Sequence, residues 1–293
     1  MEDNLKKMDG LKCIYLILRI GIAMCFIGHG AFGIITKPIW CNYFGVFGIG
    51  HNLAYELMPL VGSIDIALGV TMLIYPVRAI AAWLVLWGIV TASLRPLSGE
   101  PFAEFIERAG NFGAPLMLLW WVGFDWTNVK SWLTRISPKV DVEQKKIEQL
   151  SLGLRMVVFL LLVGHGWLNL IHKQGIIDQL IGLHFENATF IASCIGWFEV
   201  SAAFLILIKP IRPFILTLFI WKMASELFYP HYELFEWIER GGSYTSLLAL
   251  WVMADKVQSL RFHRIRLAPP QTQAGKTFTR FLPSFRSDFR GSH

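Results

Sequence analysis

Charge is what this chain has least of. Asp, Glu, Lys and Arg make up 16% of its 293 residues and hydrophobic residues 54%, where an ordinary soluble domain carries roughly 25% charged residues. That balance excludes a soluble globular domain, because there is too little polar side chain to clothe a core of this size. Cysteine is scarce as well. Cys13, Cys25, Cys41 and Cys194 form no Cys-x-x-Cys pair, which argues against thiol redox chemistry or an iron–sulfur centre. They read as small buried apolar residues, with a disulfide between Cys41 and another outer-side cysteine left open. There is no glycine-rich dinucleotide fingerprint. His29 and His165 lack a second His or Cys one helical turn away, so no metal site is expected. A haem held between the two histidines stays open as an alternative, since haem ligation needs only placement. No nucleic-acid partner is expected.

What the chain does have is long apolar runs, at 11–33, 55–76, 78–96, 104–124, 150–171, 189–208, 211–229 and 239–255. Each is close to the roughly 20 residues a helix needs to cross a bilayer. Continuous apolarity over such lengths excludes the alternating pattern of barrel strands. The fold class expected is all-α, a polytopic membrane protein with eight transmembrane helices. The first run is read as a spanning helix and not a cleaved leader, since it lacks a small-x-small cleavage site and its twin lies mid-chain.

That twin belongs to an internal repeat. Gly28-His29-Gly30 recurs as Gly164-His165-Gly166 and Leu18-Arg19 as Leu154-Arg155, both displaced by 136 positions. Gly62 and Asp65 recur as Gly196 and Glu199, and Trp87 as Trp221, displaced by 134; Glu107-Arg108 recurs as Glu239-Arg240, displaced by 132. Apolar composition alone cannot repeat Arg, His and carboxylate at matched places. Four domains follow: a first four-helix unit 1–124, a cytoplasmic linker 125–149, a second four-helix unit 150–255 and a basic cytoplasmic tail 256–293. Four helices per unit keep both copies the same way up, giving two parallel-repeat four-helix bundles.

Basic residues orient the array. Lys6, Lys7, Lys12, Arg78, the 130–146 stretch, Lys209, Arg212 and the tail share one side, and chiefly Lys37, Arg95 and Lys173 the other. The positive-inside rule places both termini in the cytoplasm. Trp120, Trp121, Trp126 and Trp132 read as an interfacial belt, and the basic, Phe-bearing tail suits an anionic inner leaflet or a solvated segment. Asn187-Ala188-Thr189 matches a glycosylation acceptor, relevant only in a secretory-pathway cell.

At 1.5 Å rise per residue, His29, Asp65, Glu107 and Arg108 fall in the outer half of the first unit, and His165, Glu199, Glu226, Glu239 and Arg240 at similar levels in the second. Ionised groups there cost about 3 kcal/mol each, so they should face the bundle interior and one another, Arg240 pairing with Glu199 or Glu226. A purely structural role, locking helices together, competes with a functional one. Lys222 and Glu226 replace Gly88 and Ala92 of the first unit and form an i,i+4 pair, which favours the second copy as the chemical one.

The Arg in helix one, the Gly-x-x-carboxylate of helix two (Gly62 to Asp65, Gly196 to Glu199) and the polar start of helix four resemble the DoxX/DoxD-like membrane family, over nearly the whole chain. This chain departs from that family in being a tandem duplication and in carrying Asp65 for the more usual Glu. The resemblance implies a quinone-linked oxidoreductase subunit of a bacterial inner membrane. The quinone head would meet catalytic residues His165, Glu199, Glu226, Glu239 and Arg240, with His29, Asp65, Glu107, Arg108, Trp221 and Lys222 as cofactor-binding residues, and an outer-face redox partner protein would supply electrons. Arg240 would stabilise an anionic ring oxygen, and Glu199 or Glu239 would exchange protons. A non-catalytic scaffold or assembly factor, and a proton-coupled transporter of a small anion or lipid head group, are the alternatives.

Overall fold

The computed structural model describes residues 2–123, 128–138, 142–227 and 234–267, with side-chain surroundings given from 10 to 254 within those ranges. Trp126 and most of the basic tail lie outside the described residues. Among the described residues the chain is helical throughout: α1 Glu2–Ile34, α2 Trp40–Gly45, α3 His51–Ile74, α4 Arg78–Leu97, α5 Ala103–Glu107, α6 Ala109–Val122, α7 Lys130–Leu133, α8 Gln144–Leu170, α9 Gln174–Gly182, α10 Ala188–Ile208, α11 Arg212–Leu227, α12 Leu234–Glu239 and α13 Gly241–Leu267.

Five helices are long and apolar enough to cross a membrane: α1 from Gly10, α3, α4, α8 and α10. The run 104–124, expected as one span, is broken instead. Arg108, at φ −82° and ψ 14°, ends α5 and opens α6. The run 239–255 likewise starts at a break, with Arg240 between α12 and α13. At both breaks the arginine carries ion pairs, Arg108 to acids of α5 and Arg240 to acids of α5 and α11, and the glycines that follow, Gly110 and Gly242, seat the new helix against a neighbour. A Cβ on Gly242 would overlap the Gly110 carbonyl, so α6 and α13 touch backbone to backbone.

The packing has an inner and an outer ring. α1, α6, α8 and α13 pack around one another, while α3 lies on α1, α4 on α6, α10 on α8 and α11 on α13. The inner ring holds the core, with Ile14, Leu18, Leu118, Leu154, Leu161, Leu247 and Leu250 buried. The outer ring turns apolar side chains outward, including Leu60, Trp83, Leu86, Phe190, Trp197 and Ile220. In the most apolar stretch of α4 only 22% of residues are buried, against 61% in α1. A surface this apolar requires hydrocarbon against it.

The halves interlock. α1 packs on α12 and α13, and α8 on α5 and α6, so the first long helix of each half rests on the last helices of the other. The repeated Gly-His-Gly explains how. A Cβ on Gly28 would strike the backbone of Glu239, and one on Gly164 the backbone of Glu107. The second glycines, Gly30 and Gly166, meet the carbonyls of Gly62 and Gly196 in their own half. Each histidine is thereby clamped between its own acid-bearing helix and the other half's Glu-Arg.

Local caps repeat too. Thr36 and His172 both take φ 54°, and each lies in the same paired-bond helix stop, Lys37 N–H to Phe32 O and Lys173 N–H to Leu168 O at 3.0 Å. At the end of the bundle away from the histidines, Arg19 donates to the Met72 and Leu73 carbonyls and Arg155 to Leu207 O at 3.0 Å. These repeated arginines satisfy the last carbonyls of α3 and α10, which lipid cannot. Two expectations change. Trp121 is 1% exposed and meets Tyr15 edge-on at 6.1 Å, a core residue and not an interfacial anchor. All four cysteines are free, Cys25 and Cys41 buried but Cys13 and Cys194 exposed, since the outward faces of α1 and α10 are themselves apolar.

Candidate functional site

Most of the charges at the level of the two histidines join in one chain of contacts that crosses between the halves. It begins at α2, where the Tyr43 hydroxyl donates to Glu100 at 2.5 Å. Burial above all pushes this phenol well above its usual range, Arg95 opposing and Glu100 reinforcing the shift. Arg95 lies 3.5 Å from Glu100 and 3.7 Å from Glu104. Glu104 also pairs with Lys173 and, at 2.5 Å, with Arg108. Arg108 holds Glu107 at 3.1 Å, and Glu107 pairs with Arg240 of the other half. Arg240 Nε then meets Glu226 at 2.7 Å, and Glu226 meets Lys222 at 2.6 Å and His165 at 3.9 Å. His165 Nδ1 sits 2.5 Å from Glu199, whose other oxygen accepts from Trp221 Nε1 at 3.0 Å. Acids and bases alternate along this path, so each buried charge has an opposite within reach.

Arg240 therefore pairs with Glu226, as the helix spacing suggests, but not with Glu199, because His165 and Trp221 occupy both Glu199 oxygens. Lys37, Arg95 and Lys173, the basic residues on the sparsely charged side, all find acids: Lys37 meets Glu236 at 2.5 Å. Sequence reasoning missed Tyr43, Glu100 and Asn169. The signal for the first two was faint, a Tyr and a Glu in what reads as loop. Asn169, bonded to His165 O at 2.9 Å, stands where the first unit has Gly33.

The first half is built alike but left open. His29 Nδ1 sits 2.7 Å from Asp65 Oδ2, and its ring lies 4.6 Å from that of Trp40. Beside it is a partly open cavity, lined by His29, Arg95, Arg108, Asn111 and Glu239 and walled by Trp40, Tyr43, Phe44, Phe47 and Trp87. This cavity adjoins His29, whereas the sequence favours the copy that carries His165. A smaller neighbouring space touches Glu107, Asn111, Arg240 and Ser243 at the junction of the halves.

Glu239 stands apart. Its residue is 8% exposed and lines the cavity, and it makes no hydrogen bond or ion pair within 4.0 Å among the described residues. Its sequence counterpart Glu107 is held by two arginines. Trp87 is unlike Trp221 in the same way: its Nε1 is buried with no partner. Asp65 is one methylene shorter than Glu199, which accepts from the matching tryptophan.

Glu107, His165 and Glu226 also bring one potential metal-ligand atom each within 4.8 Å of one another. The three come from different helices, beyond what sequence spacing reveals. Arg240 and Lys222 already hold these carboxylates, and a metal ion would have to displace both cations.

Similarity gives no further guide. No family model, curated protein or solved structure matches the chain. Function has to be argued from the cavity and the ion-pair chain.

Proposed function

We propose that the protein is an eight-span membrane protein, two tandem parallel copies of a four-helix unit with both termini in the cytoplasm, that binds a quinone or quinol in the cavity beside His29. The observation that carries this reading is the cavity itself, aromatic on most sides and lined also by His29, Arg95, Arg108 and Glu239. That lining suits a small ring-shaped ligand. The apolar outer ring of helices offers such a ligand a lipid route to the opening. The matching positions of the second unit carry Asn169, Lys222, Glu226 and Glu199 in place of Gly33, Gly88, Ala92 and Asp65. Every replacement is larger.

Roles divide accordingly. His29, Asp65, Arg95, Arg108 and Glu239 face or support the ligand, while His165, Glu199, Trp221, Lys222, Glu226 and Arg240 form the ion-pair frame that fixes Glu107 and Arg108 against it. A redox role as a quinone-linked oxidoreductase subunit, as the DoxX/DoxD-like resemblance implies, draws two electrons from an outer-face partner protein and two protons from the site for each quinone reduced. A bacterial inner membrane is the matching location.

Mass spectrometry of lipids and quinones copurified after mild detergent extraction tests the proposal. A quinone enriched over bulk membrane, and lost in a Phe47→Arg variant that charges the cavity wall, is the expected result. Its absence would favour the second reading, a scaffold or assembly factor, which the continuous ion-pair chain supports because paired charge also locks helices in lipid. Transport fits less well, since the charged groups form one band and not a path through the helices.

A further inference from the structure

The cavity beside His29 has two chemically different sides. His29, Arg108, Asn111 and Glu239 reach it from α1, α6, α12 and the break before α6, whereas Val61, Trp87 and Leu94 reach it from α3 and α4 of the outer ring. Arg95, the charged residue that α4 adds, lies against Glu100 and Glu104. Polar groups thus gather toward the inside of the bundle, and the apolar wall lies toward lipid. That wall is split. Only Tyr75, Pro76 and Val77 join α3 to α4, yet the two helices share few contacts, since α3 lies along α1 and α4 along α6. They part from that short turn onward, and α2 covers the gap at the far end, where it packs on both. Trp87 carries the cavity wall outward. Its ring stacks on that of Trp83, with centroids 5.9 Å apart and planes 10° from parallel, and Trp83 is 46% exposed. Trp83 lies one turn, about 6 Å, nearer the Arg78 end of α4, so the stacked pair leads from the cavity toward the middle of the span. The second unit has no such track. Thr217 stands in the place of Trp83, and Trp221 gives its N–H to Glu199.

Resting on the reading of the cavity as a quinone or quinol site, we propose that its ligand is a long-tailed one that enters sideways from the bilayer, the ring lodging among the polar groups and the tail leaving between α3 and α4 across Trp87 and Trp83. An amphiphile in a bilayer already holds its polar head toward the surface and its tail toward the centre, because only the head gains from water. Cavity and indole pair follow one another in that same direction, so such a ligand slides in without turning over. The stacked indoles give the tail a broad apolar surface to lie on. Trp83 is a specificity-determining residue here, and it selects for the tail.

The test uses the full chain in phosphatidylcholine nanodiscs and two probes: 2,3-dimethoxy-5-methyl-1,4-benzoquinone without a tail, and the same ring with a decyl tail that bears a photoreactive diazirine. After irradiation, peptide mass spectrometry maps where the tail was. The label should concentrate on residues 60–68 and 83–93, several-fold over the matching stretches 194–202 and 217–227 of the second unit, and excess tail-free ring should remove it. The matched stretches are the control for labelling from bulk lipid. In Trp83→Thr, which copies the second unit, the ratio of tailed to tail-free affinity should fall about fivefold, the scale of losing part of one apolar contact. A label that the tail-free ring displaces but that falls on other helices, or equally on both units, overturns the inference while leaving the cavity a ring-binding site. An unchanged affinity ratio in Trp83→Thr overturns it too. A label that the tail-free ring does not displace overturns both readings. The map on the unaltered chain needs no variant, so a misfolded Trp83→Thr does not shield the proposal.

Discussion

Arg240 and Glu107 lie 133 positions apart and form an ion pair between the two halves of the molecule. Arg240 also reaches Glu226 at 2.7 Å, so one guanidinium neutralises an acid from each half. Removing it should be costly. Arg240→Gln leaves Glu107 to Arg108 and Glu226 to Lys222, and is expected to lose about 3–5 kcal/mol, the scale for breaking a buried pair from one side. Unfolding in mild detergent measures this. Arg240→Lys should recover only part of the loss, since an ammonium cannot serve two carboxylates through separate nitrogens of a planar fork.

Lys222 and Glu226 should respond unequally. Lys222→Met removes a 1% exposed ammonium and leaves Glu226 still paired with Arg240. Glu226→Gln strands Lys222 and weakens the hold on Arg240. The Glu226 variant should therefore be the less stable by roughly 2 kcal/mol or more, read from the two melting curves.

Gly28→Ala and Gly164→Ala push a methyl into the backbone of the opposite half. Each is expected to cost at least about 1–3 kcal/mol, the range for overpacking, and to lower membrane abundance. Gly45→Ala, where a Cβ meets nothing within 4 Å, is the control and should be close to neutral. Equal abundance across all three would contradict the clamp at Gly28 and Gly164.

Asp65→Glu extends the carboxylate toward the unused Trp87 N–H. Copying the second half's arrangement should add about 1 kcal/mol, the usual net value of one hydrogen bond. A higher melting temperature is the expected result.

Tyr43 carries a pH prediction. Its phenol is raised above the ordinary value of about 10 by burial and by Glu100, so the fold binds that proton more tightly than the unfolded chain. The stability it contributes is complete below pH about 10 and declines as pH rises further. A Tyr43→Phe variant should lose this alkaline decline, visible as a flatter stability curve above pH 10.

Much of this was legible in the sequence, for identifiable reasons. Hydrophobic length marks the long helices, because lipid demands continuous apolarity. The 136- and 134-residue displacements match His29 with His165 and Asp65 with Glu199, but that each histidine meets the carboxylate of its own half appears only in the fold. Lys222 with Glu226 follows from helical spacing alone. The interlocking of halves was not legible, since nothing in Gly28 or Gly164 names the helix that fills the space a side chain would take. Nor was the position of the cavity. Added charge at Lys222 and Glu226 looked like added chemistry, whereas in the folded protein those groups pair with one another and with Arg240.

A symmetric dimer of identical units cannot alter one pocket without altering the other. Joining the copies in one polypeptide lifts that constraint, and the contrast between Glu107, gripped by two arginines, and Glu239, gripped by none, records its use. A buried acid from the second half is thereby left at a cavity that the first half walls, while its counterpart from the first half is locked by cations.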